Sequence, residues 1–209
     1  MKKYFTKDKW KYSFYCISHP VEGFYEIRHR DRGSVPIAFI YVILYSLCYS
    51  INRLAASFVV NDTNPRNVDA WHELGAIILL YALLCVGNWS ITCLMSGEGR
   101  LKDIAIVIGY SLLPMILTLI PATILSQVLA QNEEAFYYII VYLGTAYTVI
   151  MLLIGIMTVH NYSLAKTLVT LVLTLVAMLI IIFCAVMIFS LVSQVYGFFH
   201  SIYLELLFR

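Results

Sequence analysis

The residues best suited to acid–base or metal chemistry are five histidines, His19, His29, His72, His160 and His200, and five cysteines, Cys16, Cys48, Cys85, Cys93 and Cys184. No histidine stands at metal-ligand spacing from a carboxylate or a cysteine, and no C-x-x-C occurs, so neither a metal nor a cofactor is expected. The histidines fall in loops, at interfaces or near the end of the chain. The last four cysteines lie in or beside apolar runs, where a thiol serves as a small packing group. Glu98 and Asp103 flank Arg100 and Lys102 in one short polar stretch, which is expected to be a solvated charge cluster. Phosphate-binding G-x-x-x-x-G-K-[ST], the G-x-S-x-G nucleophile elbow and H-E-x-x-H are absent. Nucleotide-driven work and hydrolysis therefore have no visible seat, and no enzyme activity is expected. A formal net charge of +2 implies no nucleic-acid partner.

What positions any function is a set of membrane helices. The 209 residues are 61% hydrophobic and 12% charged, with a mean hydropathy of +0.83, far from the values of a soluble domain. The expected fold is all-α, a polytopic bundle of five transmembrane helices at about 35–57, 74–95, 104–130, 136–159 and 164–192. A polar, charged segment precedes the first span, so no cleavable signal peptide is expected. Pumps and membrane enzymes place ionisable groups in mid-span, where they are costly, and these spans carry essentially none. Asn52 and Arg53 close the first span, and Arg53 is expected to snorkel to the interface. Trp71 marks the next interface. Tyr142, Thr145, Tyr147, Thr170 and Thr174 either hold helices together or line a solute path.

Residues 1–33 carry Lys2, Lys3, Lys7, Lys9, Lys11, Arg28, Arg30 and Arg32 interleaved with aromatic side chains, a mixture suited to lipid headgroups. Within them, 18–30 reads as an amphipathic helix lying on the membrane, with Val21, Phe24 and Tyr25 on one face. With the amino terminus inside, every Lys and Arg except Arg53, Arg66 and Arg209 falls on the cytoplasmic side. This asymmetry predicts a cytoplasmic amino terminus and an external carboxy terminus. The chain divides into a cytoplasmic amphipathic segment (1–33), a five-helix transmembrane domain (34–195) and an amphipathic tail (196–209). Residues 164–209 as one helix measure about 69 Å against a hydrocarbon core of about 30 Å, so the part beyond 192 is expected to leave or turn, with Gly197 as the interruption. Tyr196, Phe198, Phe199, Ile202, Tyr203 and Leu206 are too apolar for free solvent. They are the candidate partner contacts, with Glu205 and Arg209 as an i, i+4 pair.

The third span contains Gly109-Tyr110-Ser111-Leu112-Leu113-Pro114, followed by Pro121. Each proline removes a donor and frees the carbonyl four residues back, Tyr110 for Pro114 and Leu117 for Pro121. In lipid those carbonyls need internal partners, for which the hydroxyls of Ser111, Thr118 and Tyr110 are nearest. Gly109 leaves room for a neighbouring helix. These residues carry a resemblance to the Yip1 family of five-span membrane proteins, of bacterial type, over nearly the whole chain. The pattern G-Y-x-L-x-P, at Gly109, Tyr110, Leu112 and Pro114, is its most specific part. His19-Pro20-x-Glu22-Gly23-Phe24 and the loop Gly97-Glu98-Gly99-Arg100-Leu101-Lys102-Asp103 also belong to it. The Asp-Leu-Tyr-Gly-Pro signature of eukaryotic relatives is absent. The resemblance implies a non-enzymatic integral protein of the bacterial plasma membrane, acting through partners or bilayer shape. The expected role is an accessory or scaffold subunit of a membrane complex, its partner a transporter permease, another integral membrane protein or a second copy, with lipids around it. The alternatives are a small solute channel or transporter, or a membrane-shaping protein.

Overall fold

A computed structural model describes residues 7–61 and 63–208, with the side chains of Lys7 and Leu206 excluded. Lys2, Lys3, the Leu206 contact and the Glu205–Arg209 pair fall outside that description. The described residues form helices and loops without a strand. Five helices are long and apolar enough to cross a membrane: Val35–Ala55, Ala70–Leu94, Leu101–Ser126, Gln131–His160 and Leu164–Glu205.

Local chemistry sets the boundaries. Two short helices, α1 (Lys7–Ser18) and α2 (Pro20–Arg30), precede the spans. Pro20 opens α2, where a missing N–H costs nothing. Helix α3 (Val35–Ala55) carries Pro36 in its first turn. Helix α4 (Ala70–Leu94) starts earlier than its hydropathy predicts, because Asp69 accepts from the amides of Trp71 (2.9 Å) and His72 (3.3 Å) and draws the stretch 71–73 into the helix. The third span is divided into α5 (Leu101–Ser111) and α6 (Leu113–Ser126). It stops at Ser126 rather than near 130. Helix α7 (Glu134–His160) ends on Asn161 in the left-handed region at φ 55°, a conformation asparagine tolerates. Ser163 caps α8 (Leu164–Leu207), its hydroxyl accepting from the Lys166 amide at 3.4 Å.

The divided span is the centre of the bundle. Of its apolar window 61% is buried, against 39% or less for the other four. Helices α3, α4 and α7 pack around α5, and α3 and α7 pack on α6. Gly144 and Gly155 of α7 lie directly against Thr118 and Val107. Helix α8 packs chiefly on α4, through a stripe of Thr167, Thr170, Thr174 and Met178.

The break sits at Leu112, whose amide donates to the Gly109 carbonyl (3.3 Å), a tighter turn than the α-helical one. The expected hydroxyls do not repair the freed carbonyls. Ser111 donates to the Val107 carbonyl at 2.8 Å, Thr118 to those of Pro114 (3.0 Å) and Met115 (3.1 Å), and the Tyr110 hydroxyl receives the Ser34 amide. Each serine or threonine in a helix finds the carbonyl three or four residues back more easily. Pro121 lies inside α6 without ending it. In Pro114→Ala the new amide can reach the Tyr110 carbonyl and straighten the span, moving Leu113 and Ile116 out of register with their neighbours. A loss of about 1–3 kcal/mol is expected from the misfit, read as a lower unfolding midpoint in detergent. An unchanged midpoint would reduce the proline to a packing detail.

Two expectations about the ends are corrected. The amino-terminal segment holds two helices, and α2 docks on α7 instead of merely lying on the membrane. Its buried face is Gly23, Phe24 and Ile27, while Val21 and Tyr25 point outward. At the other end α8 runs through Gly197 without interruption, so no structural boundary separates 195 from 196. A lone glycine costs a helix only about 1 kcal/mol, too little to break 44 residues of otherwise good formers.

Candidate functional site

The G-Y-x-L-x-P residues join the first and third spans. A Cβ at Gly109 would stand 2.6 Å from the Ala38 Cβ and 2.8 Å from its carbonyl oxygen, so α3 and α5 touch backbone to backbone there. Tyr110 is fully buried beside that contact. Its hydroxyl accepts from the Ser34 amide (3.2 Å), and its ring meets Tyr41 edge to face at 5.7 Å. Tyr41 in turn shares a 2.5 Å hydrogen bond with Ser13 and an edge contact with Trp10, which ties α1 to the bundle. Leu112 and Pro114 then supply the break. The motif is thus a joint among α1, α3 and the divided span.

Above it, on the face that carries the amino-terminal helices, lies a polar constellation built on Asp103. Asp103, in the first turn of α5, is 1% exposed. Its carboxylate accepts from the Arg100 backbone amide (3.3 Å), Nε (2.8 Å) and Nη2 (3.3 Å), and Arg28 Nη1 stands 3.7 Å away. Arg100 Nη2 and Lys102 Nζ also donate to Asp31 Oδ1, at 2.9 and 2.8 Å. The hydrogen bond from Lys102, and behind it Arg100, holds the exposed Asp31 carboxyl below its ordinary range. The same acids, Asp103 foremost, raise the Arg100 guanidinium. Asp31 adopts the left-handed region at φ 48° to end α2.

The glycines of this loop let it close on α7. His160 is 1% exposed, and its Nδ1 accepts from the Gly99 amide at 3.2 Å. A Cβ on Gly97 would stand 2.6 Å from the Tyr162 hydroxyl, and one on Gly99 2.6 Å from His160 Cε1. Tyr162 stacks on His160 at 5.3 Å, donates to the Met95 carbonyl (3.1 Å), and lies beneath Lys166 Nζ (4.0 Å). The arrangement is a clamp: ion pairs join α2 to the α4–α5 loop, and the Gly99–His160 hydrogen bond joins that loop to the end of α7. It overturns two expectations: Asp103 is buried, not solvated, and His160 is a core residue, not a loop one. Both lie beside segments that read as polar turns, where hydropathy carries no sign of burial.

The remaining candidates are spread over the molecule. Thr170 and Thr174 lie in the α4–α8 seam, where Asn88 Nδ2 donates to Thr174 at 3.2 Å. Tyr147 donates to the Ile17 carbonyl, and Tyr142 and Thr145 are exposed. These five do not converge on one cavity. Cys16 and Cys85 are buried and all five cysteines are free; burial pushes the Cys16 thiol up to about 12, so it packs rather than reacts. Among the described residues no three His, Cys, Asp or Glu gather as a metal would require. Tyr196, Phe198, Phe199, Ile202 and Tyr203 stand exposed along the end of α8.

At the opposite face Arg53 is partly exposed and paired. Its Nη1 pairs with Glu73 of α4, whose other oxygen accepts from Ser50 at 2.5 Å. Asn52 beside it donates to Thr123 of α6 (2.7 Å) and accepts from Tyr137 of α7 (2.9 Å), so one polar layer links four spans.

Comparison with curated proteins and with solved structures finds no match. A family model described as the Yip1 domain matches residues 14–187, from α1, through the joint and the clamp, into α8. This multi-pass membrane protein belongs to the Yip1 family.

Proposed function

We propose that the chain acts without catalysis, as an accessory or scaffold subunit that binds another integral membrane protein through the free half of α8. One observation carries this reading. Beyond Met178 no side chain of α8 is buried, and from Ile182 onward every described one is exposed. Helix α8 is about 66 Å long, roughly twice the hydrocarbon thickness of about 30 Å. Its far half still presents Tyr196, Phe198, Phe199 and Tyr203, apolar surface that calls for a protein partner once it leaves lipid. The family match stops at residue 187, short of these four residues. A transporter permease is the kind of partner proposed. The chain is placed in a bacterial plasma membrane with its amino terminus cytoplasmic, a reading supported by the gathering of Lys and Arg on the face of the clamp.

The test is a mild-detergent pulldown of the full-length chain from its native membrane, with mass spectrometry of what stays bound. A single stoichiometric membrane partner, lost when the chain is truncated after Val195, is the expected result. Solute flux by the purified protein alone in liposomes, or recovery without any partner, would overturn it.

A further inference from the structure

A cavity of about 470 Å³ lies between α3 and α4, with α5 and the Leu112 break as its floor. That volume is within the range of small-ligand sites, roughly 300–1,000 Å³. Its chemistry is graded along the membrane normal. At the face opposite the amino-terminal helices its rim holds Arg53, Glu73 and His72, with the Arg53 guanidinium 5.9 Å from the centre of the Tyr49 ring. Below the rim the walls are tyrosine rings, Tyr45 and Tyr81 among them, and aliphatic side chains, down to Val42, Ile108 and Leu112. Ala76 and Leu80 are exposed, so the groove opens sideways between the two helices.

The geometry points to a phospholipid site: one acyl chain of the leaflet away from the amino terminus lies in this groove, with its headgroup on Arg53 and Glu73. Length supports this occupant. From Arg53 to Val42 along α3 is about 16 Å, and half of the hydrocarbon core is about 15 Å, so the groove spans one leaflet and stops at the kink. Charge supports it as well. The guanidinium gives only Nη1 to Glu73, leaving other N–H groups for a phosphodiester. Arg53 and Glu73 form a contact ion pair without net charge, which suits a zwitterionic phosphate–ammonium headgroup such as phosphatidylethanolamine. There is no excess of cations at this rim to favour a net-anionic lipid.

The test uses the full-length chain in bilayers of phosphatidylethanolamine and phosphatidylglycerol, with a phosphatidylethanolamine probe bearing a photoreactive diazirine in mid-chain. Labelling is expected to concentrate on the half-buried Leu84 and Leu112, about tenfold above the lipid-exposed Leu179 and Phe183 of α8. Even labelling of groove and α8 would overturn the site, and this arm needs no variant. Ala76→Trp, at the exposed mouth, is expected to abolish labelling at Leu84 while leaving that on α8 unchanged; persistent labelling at Leu84 would count against the groove. Unlabelled phosphatidylethanolamine should displace the probe about tenfold more effectively than phosphatidylglycerol, and equal displacement would overturn the headgroup assignment.

Discussion

Gly109→Ala is expected to destabilise the bundle by about 1–3 kcal/mol, and Gly109→Leu to prevent its assembly. The added methyl meets the Cβ, carbonyl oxygen (2.8 Å) and carbonyl carbon (2.9 Å) of Ala38. Backbone atoms cannot swing aside as a flexible side chain does, so α3 and α5 must separate. Separation lengthens the Ser34–Tyr110 hydrogen bond and opens the Tyr41–Tyr110 contact, both of which depend on the same approach. The cost therefore exceeds that of one misplaced methyl. Gly75→Ala and Gly197→Ala provide the contrast, since neither Cβ would meet anything within 4 Å. Both should be neutral or gain up to about 1 kcal/mol from helix propensity. The measurement is the thermal unfolding midpoint in mild detergent, with size exclusion to confirm assembly. Equal midpoints for the variants at 109 and 197 would show that the α3–α5 contact is dispensable.

Asp103→Ala is expected to release the amino-terminal helices from the bundle, at a cost of about 2–4 kcal/mol. Removing one partner of a buried ion pair costs about 3–5 kcal/mol when the other charge stays buried. Here the orphaned cations are partly wet, with Arg100 44% and Arg28 23% exposed, so part of that penalty is relieved by water. Asp103→Asn keeps the shape and part of the hydrogen bonding and should fall between. Hydrogen exchange reads the effect locally: amides at 28–33 and 97–103 should exchange faster, while those at 104–111 remain protected. Unchanged exchange in both loops would mean that packing of Phe24 and Ile27 against the bundle suffices without the clamp.

The two variants probe different layers of one design. The joint at Gly109 and Tyr110 sets how closely the first and third spans approach, and the clamp at Asp103 sets how the amino-terminal helices cover them. Both converge on the divided span, which is the most buried of the five. The cavity floor at Ile108 and Leu112 belongs to the same span, so a change in its bend also changes the shape of the groove.

Much of this architecture was legible in the residues alone. Five apolar runs of spanning length, prolines at 114 and 121, the cap at Ser163 and the small residue at 109 are local features. Bilayer solvation, backbone sterics and capping act on a few neighbouring residues at a time. The burial of Asp103 and His160, the Arg53–Glu73 pair, the docking of α2 on α7 and the lateral groove depend on which turn of one helix faces which turn of another. That register is set by contacts between residues far apart in the chain, such as Gly109 on Ala38, and hydropathy does not encode it. The path of α8 was misread from its sequence: its length against the bilayer and Gly197 suggested a turn beyond 192, but the helix continues unbroken, and only the tertiary structure shows its far half without a neighbour, the last buried side chain being Met178.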